Sequence, residues 1–417
     1  MSDKSEARDS SPSSPVAPVA PADPPAPPDG GLQAWLQVAA GFFLWFNSWG
    51  FVNTFGVYQT YYELDLLRTS SASDISWIGS FQVFLLMFGG FLVGPLYDMG
   101  YVRHIVAVGG FFVVFGQMML SLCTSYWQVF LAQGLTQGLG ATMLFHPGVA
   151  VLTSGWFSSR LALAAGIAAA GSVILPIVFN RLEPQIGFGW ATRVLGFISL
   201  ATMTFTALVV KAKSLPPAPR RFFDPESFKD LAYVLDLVGC FWIFLGLYVP
   251  SFFIVLYSVQ SGFTTGSFSA YLLAILNAGS IPGRLLPTAL AGKLGVFNVL
   301  TPCAAAAAII CFCLIAVMNA AGIIVISVFF GFFSGSLAAL APMSLVALTL
   351  PDRKRIGTRL GMGFAVAGVG LLIGNPISGA ILGSSRFTWA WVFGGLAIAV
   401  GALVCFLIMI VQRRRKA

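Results

Sequence analysis

Charge is what this sequence has least of: Asp, Glu, Lys and Arg make up 9% of its 417 residues, against 57% hydrophobic. So few charged groups cannot cover a water-facing surface, which excludes an ordinary soluble domain. Only 15 acids and two histidines are present. The acids fall in the N-terminal tail, in polar loops or, for Asp236, near a span entrance, so a relay of carboxylates across a membrane is not expected. Six cysteines, Cys123, Cys240, Cys303, Cys311, Cys313 and Cys405, lie in or beside apolar runs. They read as inert buried thiols rather than a disulfide framework. Cys311 and Cys313 are two apart, on nearly opposite sides of a helix, which argues against a metal site. No phosphate-binding glycine loop, paired catalytic carboxylates or nucleophile-base constellation occurs. A self-contained ATP-driven pump is therefore excluded, an enzyme is the least favoured class, and no cofactor is implied.

What is present is apolar length. Hydrophobic segments cover approximately 36–60, 74–97, 102–123, 126–153, 159–182, 190–211, 231–258, 268–291, 296–318, 321–347, 357–383 and 387–411. Each can cross a bilayer, and continuously apolar stretches such as Ala304 to Val317 disfavour a closed β-barrel. The expected fold is an all-α polytopic membrane protein with twelve transmembrane helices in two six-helix halves. Residues 1–35 form a disordered, Pro-rich cytoplasmic tail and 36–211 the first half. A cytoplasmic loop, 212–230, joins it to the second half, 231–411, which ends in a basic tail, 412–417. With both termini cytoplasmic, 18 of the 23 Lys and Arg fall on the cytoplasmic side, four on the other, and Arg284 remains inside a span. Basic residues are retained on the cytoplasmic side, so the surplus reads as topology and not as nucleic-acid binding.

Recurrent Gly-x-x-x-Gly pairs, at Gly90/Gly94, Gly134/Gly138, Gly279/Gly283, Gly331/Gly335 and Gly370/Gly374, predict close-packing seams between helices. Arg284 is costly at membrane depth and is by default a functional residue. Flanked by Gly279, Pro282 and Gly283, it reads as a cavity-facing anion contact, with snorkelling to the interface as the bland alternative. Asn47, Thr54 and Tyr58 form one polar stripe on the first span, lining the cavity or bonding neighbouring helices. Tyr248, Ser251, Asn277 and Asn375 carry the same two readings. Gln133 and Gln137, one turn apart, face together as candidate lining residues. His146, before Pro147, is a conceivable proton carrier, or it bonds a carbonyl freed by the proline. On a straight helix it points away from the two glutamines.

Gly94-Pro95-Leu96-Tyr97-Asp98-Met99-Gly100 between the second and third segments resembles the cytoplasmic signature loop of the major facilitator superfamily, matched at Gly94, Leu96 and Asp98 with Gly100 one position early. Asp29-Gly30-Gly31-Leu32-Gln33-Ala34-Trp35 and the stretch Trp156 to Ser172 resemble the monocarboxylate-transporter branch, its fungal members in particular. That resemblance covers Asp29 to Val411. It implies that Arg284 meets a substrate carboxylate, and that Asp98, Arg103 and Arg160 act in conformational gating at the cytoplasmic face. An acid one turn before the eighth-span arginine and a first-span lysine, which serve proton coupling in animal members, are absent; Ser280 holds the former place. The function expected is secondary or facilitative transport of a monocarboxylate or other acidic organic metabolite by alternating access, with efflux of a larger product favoured over uptake. A non-transporting receptor or sensor on the same fold is the alternative. The expected partners are a small organic acid and the lipid bilayer, with proton coupling left open. The expected location is the cell membrane, a vacuolar or other internal membrane being the other possibility.

Overall fold

The computed structural model describes residues 30–153, 156–157, 161–212, 223–264, 268, 271–350, 352, 355–384 and 387–416. Most of the expected tail and of the central loop, and Arg160, lie outside the described residues. Among those described there is no strand. α1 comprises Leu32–Asn47 and, past a break at Ser48, Trp49–Tyr61, and ends in a wide turn, Tyr62–Leu66. α2 is Ala72–Phe88 continued as Gly90–Asp98, and α3 is Val102–Leu120. α4 opens as Tyr126–Val129, widens to a π-helical stretch at Phe130–Gln137 and closes as Gly138–Thr153. α5 starts with Leu161–Ala170 and the tight turn Gly171–Val173, then enters Ile174–Val209. That last stretch of 36 residues contains Gly187 at φ 75° and ψ 162°. A straight helix of that length would measure about 54 Å against a hydrocarbon core of about 30 Å. Gly187 therefore divides it into the end of α5 and the whole of α6.

In the second half α7 is Leu231–Leu247 and Val249–Gln260, α8 is Tyr271–Leu294 and α9 is Val296–Cys313. α10 is Ala320–Thr349, α11 is Ile356–Ser384 and α12 is Phe387–Lys416. Two expected boundaries move: α1 begins inside the presumed tail at Leu32, and α12 runs through the presumed basic tail to Lys416. Among the described residues eight stretches are by themselves long and apolar enough to cross a bilayer. α1, α4 and α8 are not among them, and these are the helices carrying Asn53, Gln133, Asn277 and Arg284.

The seams predicted at Gly279/Gly283, Gly331/Gly335 and Gly370/Gly374 are real contacts. A Cβ built on Gly279 would lie 2.6 Å from the Val328 carbonyl oxygen and one on Gly283 1.9 Å from that of Phe332. Reciprocally, Gly331 faces the Leu276 carbonyl at 2.0 Å and Gly335 that of Ser280 at 2.4 Å. α8 and α10 thus touch backbone to backbone, the arrangement that small residues permit in lipid. Gly370 and Gly374 seat α11 against Phe241 and Leu245 of α7 in the same way.

A polar cluster closes one end of the bundle. The turn Pro225–Lys229 precedes α7, and Arg355, just before α11, grips Asp224 with Nε at 2.6 Å and one terminal nitrogen at 2.7 Å from the two carboxylate oxygens. That nitrogen also donates to Glu226 at 3.0 Å. Arg359 donates to Ser227 at 2.9 Å and to the Leu348 carbonyl at 3.2 Å, while Tyr233 donates to the Arg359 carbonyl at 3.0 Å. The Arg355 guanidinium holds the Asp224 carboxyl below its usual range. Two arginines thereby fix the start of α11 to the start of α7.

Candidate substrate site between the first, fourth, seventh and eighth helices

Arg284 sits partway along α8 between Pro282 and Pro287. Neither proline can donate to the helical ladder, so the helix is locally loosened on both sides of the arginine. Its guanidinium carbon lies 5.4 Å from the centre of the Trp45 ring. Tyr248, at the break in α7, is the titratable group beside it. Trp49 stacks on Tyr248 with centroids 6.0 Å apart, and Phe145 stands edge-on to Trp45 and Trp49 at 5.3 and 5.7 Å. The result is an aromatic box with one cation in its wall. Three N–H groups in it, Trp45 Nε1, Trp49 Nε1 and Arg284 Nε, are buried without an acceptor. No carboxylate among the described residues lies within ion-pair distance of Arg284. A buried donor left unpaired costs about 1–3 kcal/mol, so the box is chemically incomplete until something that accepts hydrogen bonds enters it. Next to it a cavity of about 10 Å³ is lined by Asn53, Gly56, Tyr248, Ser251 and Asn277 among others. That is room for about one water molecule.

The sequence-derived candidates divide. Arg284, Tyr248, Ser251 and Asn277 meet at this place. The stripe on α1 does not line it: Asn47 donates to Thr202 Oγ1 of α6 at 2.9 Å, and Thr54 donates to the Gly50 carbonyl at 2.7 Å. Tyr58 packs on Phe179 at 4.4 Å and faces Gln117 and Thr192 inside the first half. Polar side chains in a bilayer can be absorbed by their own or neighbouring helices instead of lining a cavity: Asn47 bonds α6, Thr54 bonds its own helix and Tyr58 packs within the first half. Gln133 accepts from Tyr62 at 2.6 Å, and Gln137 packs against Gly116 of α3. The π-helical stretch that contains them also removes the straight helix on which their phase relative to His146 was reckoned. Asn375 donates to Ser80 of α2 at 3.3 Å, tying α11 to α2 rather than lining the box. His146 Nδ1 lies 3.2 Å from the Thr142 carbonyl, one residue before the carbonyl that Pro147 frees, and its ring packs on Gly90 and Phe364. Arg103 donates from Nε to the Val210 carbonyl at 3.2 Å, at the end of α6, and Asp98 is buried at the end of α2. Asp236, expected near a span entrance, lies wholly buried in the second turn of α7.

Trp45, Trp49, Phe145 and Asn53 escaped the sequence reading. Trp45, Trp49 and Asn53 recur every four residues on one face of α1, a signal that was present, though aromatic residues in an apolar helix read equally as lipid contacts. At the end of the bundle opposite the Asp224–Arg355 cluster lies a larger cavity of about 560 Å³. Glu63, Tyr257, Gln260, Phe387, Thr388 and Trp391 are among the residues that line it. Gln59 of α1 donates to the Glu63 carboxyl at its edge.

The model of the Major Facilitator Superfamily matches residues 37–355. This chain belongs to the Major Facilitator Superfamily. It is 46% identical over 385 residues to the MFS-type transporter dbaD of Emericella nidulans, covering 90% of this chain and 86% of that one. Two further relatives are the aspyridones efflux protein apdF of the same organism, 40% identical (91% and 78% covered), and the agnestins efflux protein AgnL12 of Paecilomyces divaricatus, 32% identical (90% and 87%). Among solved structures, the nucleoside transporter NupG superposes with a TM-score of 0.69 at 14% identity, over 91% of this chain and 99% of that one, a likeness of fold alone. The protein is an integral membrane transporter of a small molecule rather than an enzyme. The receptor weighed from the sequence finds no support among these relatives.

Proposed function

We propose that this transporter exports an amphipathic, ring-bearing organic acid, a secondary metabolite, across the cell membrane by alternating access. The observation that carries the reading is the set of three unpaired N–H donors, one of them cationic, inside an aromatic box. A carboxylate or an acidic enol would accept two hydrogen bonds from a planar guanidinium, and a ring would stack on Trp45, Trp49 and Tyr248. A substrate carrying both groups fits better than a small monocarboxylate, which would leave the aromatic walls unused. The larger cavity at the far end, with Tyr257, Phe387 and Trp391 beside Gln260 and Thr388, has the same mixed character and serves as an exit vestibule. The two relatives named as efflux proteins support the outward direction. The motif at Asp29 to Trp35 and the stretch after Trp156 support membership of the monocarboxylate-porter branch.

The basic side chains of the Asp224–Arg355 cluster and of the C-terminus support cytoplasmic ends. Tags at residue 5 and after Ala417 should resist protease in intact cells, and cleavage of either would overturn the twelve-span count or its orientation. Export itself is tested with inside-out vesicles given labelled aromatic acids and their methyl esters. The acids should accumulate and the esters should not. Equal transport of both would remove the acidic group from the definition of the substrate.

A further inference from the structure

The carboxyl group of Asp236 is 0% exposed, and its hydrogen-bond partner is the hydroxyl of Ser344 on α10. Ser344 Oγ stands 3.1 and 2.8 Å from the two carboxyl oxygens and 2.8 Å from the carbonyl oxygen of Ala341 in its own helix. A hydroxyl has one proton and two lone pairs. Three oxygens therefore surround a single hydrogen, and the arrangement closes only if one of them brings another. With a protonated carboxyl the count is complete: Asp236 donates to Ser344, and Ser344 donates to Ala341. With an ionised carboxyl, a full charge would rest in the protein interior on one neutral donor, a state that costs several kcal/mol without a cation.

Among the described residues no cation is free to supply that charge. Tyr233, one turn before Asp236, gives its proton to the Arg359 carbonyl, and Arg359 lies over the Tyr233 ring at 4.6 Å. Its guanidinium is engaged by Ser227, the Leu348 carbonyl and, at 3.6 Å, Asp230. Arg355 is held by Asp224. Cys240 on α7 and Cys405 on α12, the remaining titratable neighbours, are buried thiols.

We propose that Asp236 is a proton-binding site of this transporter, occupied in the present conformation. Its O–H bond breaks, and the proton passes to water at the Asp224 end of the bundle, when α7 and α10 part and the carboxylate left behind becomes hydrated. The route is short, since Asp236 lies five residues into a helix rising about 1.5 Å per residue. The coupling role rests on the export reading; the proton itself does not.

Two measurements separate them. The infrared difference spectrum of purified wild type minus Asp236→Asn in lipid vesicles at neutral pH should contain the carbonyl stretch of a carboxylic acid. A Ser344→Ala variant should shift that band, and Glu63→Gln should leave it in place. A difference spectrum with only carboxylate bands, or a band indifferent to Ser344→Ala, overturns the site. In transport, Asp236→Asn should retain substrate counterflow and lose stimulation by an imposed pH gradient, while Ser344→Ala, which keeps the carboxyl, retains stimulation. Unchanged stimulation in Asp236→Asn overturns the coupling role. If wild type carries no substrate at all, the export reading fails, and the infrared band still decides whether Asp236 holds a proton.

Discussion

Gly283→Ala puts the packing account to a quantitative test. The added methyl group would sit 1.9 Å from the Phe332 carbonyl oxygen, and ordinary contact begins near 3.4 Å. The obstacle is backbone, so it cannot rotate aside, and α8 and α10 must separate by the difference, roughly 1.5 Å. Overpacking of this kind costs about 1–3 kcal/mol. The same shift opens the reciprocal contacts of Gly331 and Gly335 and displaces Arg284, the next residue along, from the face of Trp45. Gly292 in the same helix has nothing within 4 Å of an added Cβ. Gly292→Ala should be neutral or gain up to about 1 kcal/mol from helix propensity. Thermal unfolding of the purified proteins in detergent, followed by tryptophan fluorescence, should place Gly283→Ala several degrees below wild type and Gly292→Ala at or above it, with transport falling only in the former. A Gly283→Ala protein that melts and transports like wild type would refute backbone contact between the two helices.

Two further outcomes follow from groups outside the box. Asp224 is held below the usual carboxylate range by Arg355, so its contribution to stability is complete above the unfolded carboxylate value of about 4 and is lost as pH falls through the lower folded value; the acid-side loss of thermal stability should shrink in Asp224→Asn, and an unchanged acid limb would dissociate the pair from stability. His146→Gln should leave the pH profile of transport unchanged between about pH 5 and 8, because the imidazole is engaged by the Thr142 carbonyl and packed on Gly90; a flattened profile with intact counterflow would make His146 the coupling residue.

The parts of this fold that could be read from sequence are those encoded locally. Spacing of four between glycines announces where helix backbones meet, so the α8–α10 and α7–α11 seams were legible without any knowledge of partners. A single arginine in an apolar helix is legible for the same reason, since its cost demands an explanation wherever the helix goes. Orientation about a helix axis is not encoded so directly. Asn47, Thr54 and Tyr58 formed a stripe, yet Thr54 turns back on the Gly50 carbonyl of its own helix, and the neighbours that claim Asn47 and Tyr58, Thr202 and Phe179, are set by tertiary packing. In α4 the π-helical stretch shifted the phase of everything after Gln133, and no residue pattern in Phe130–Gln137 signals it. Asp236 does lie near the entrance of its span, but its burial was not legible, because distance along the chain measures only its own helix and α10 and α12 bury it from the side.

The account turns on whether Arg284, within its aromatic box, is the anion contact. The most direct measurement is exchange of a labelled aromatic acid across vesicles containing wild type, Arg284→Lys and Arg284→Ala, each assayed for surface expression. Loss of the charged partner to a desolvated carboxylate costs about 2 kcal/mol or more, roughly 30-fold in apparent affinity. Arg284→Ala should therefore raise the substrate level needed for half-maximal exchange roughly 30-fold or more, so that most exchange is lost at levels that half-saturate wild type. Arg284→Lys should be partly defective, because an ammonium cannot make the two parallel hydrogen bonds. An alanine variant that reaches the membrane and exchanges the acid at the wild-type rate would contradict the assignment of the site.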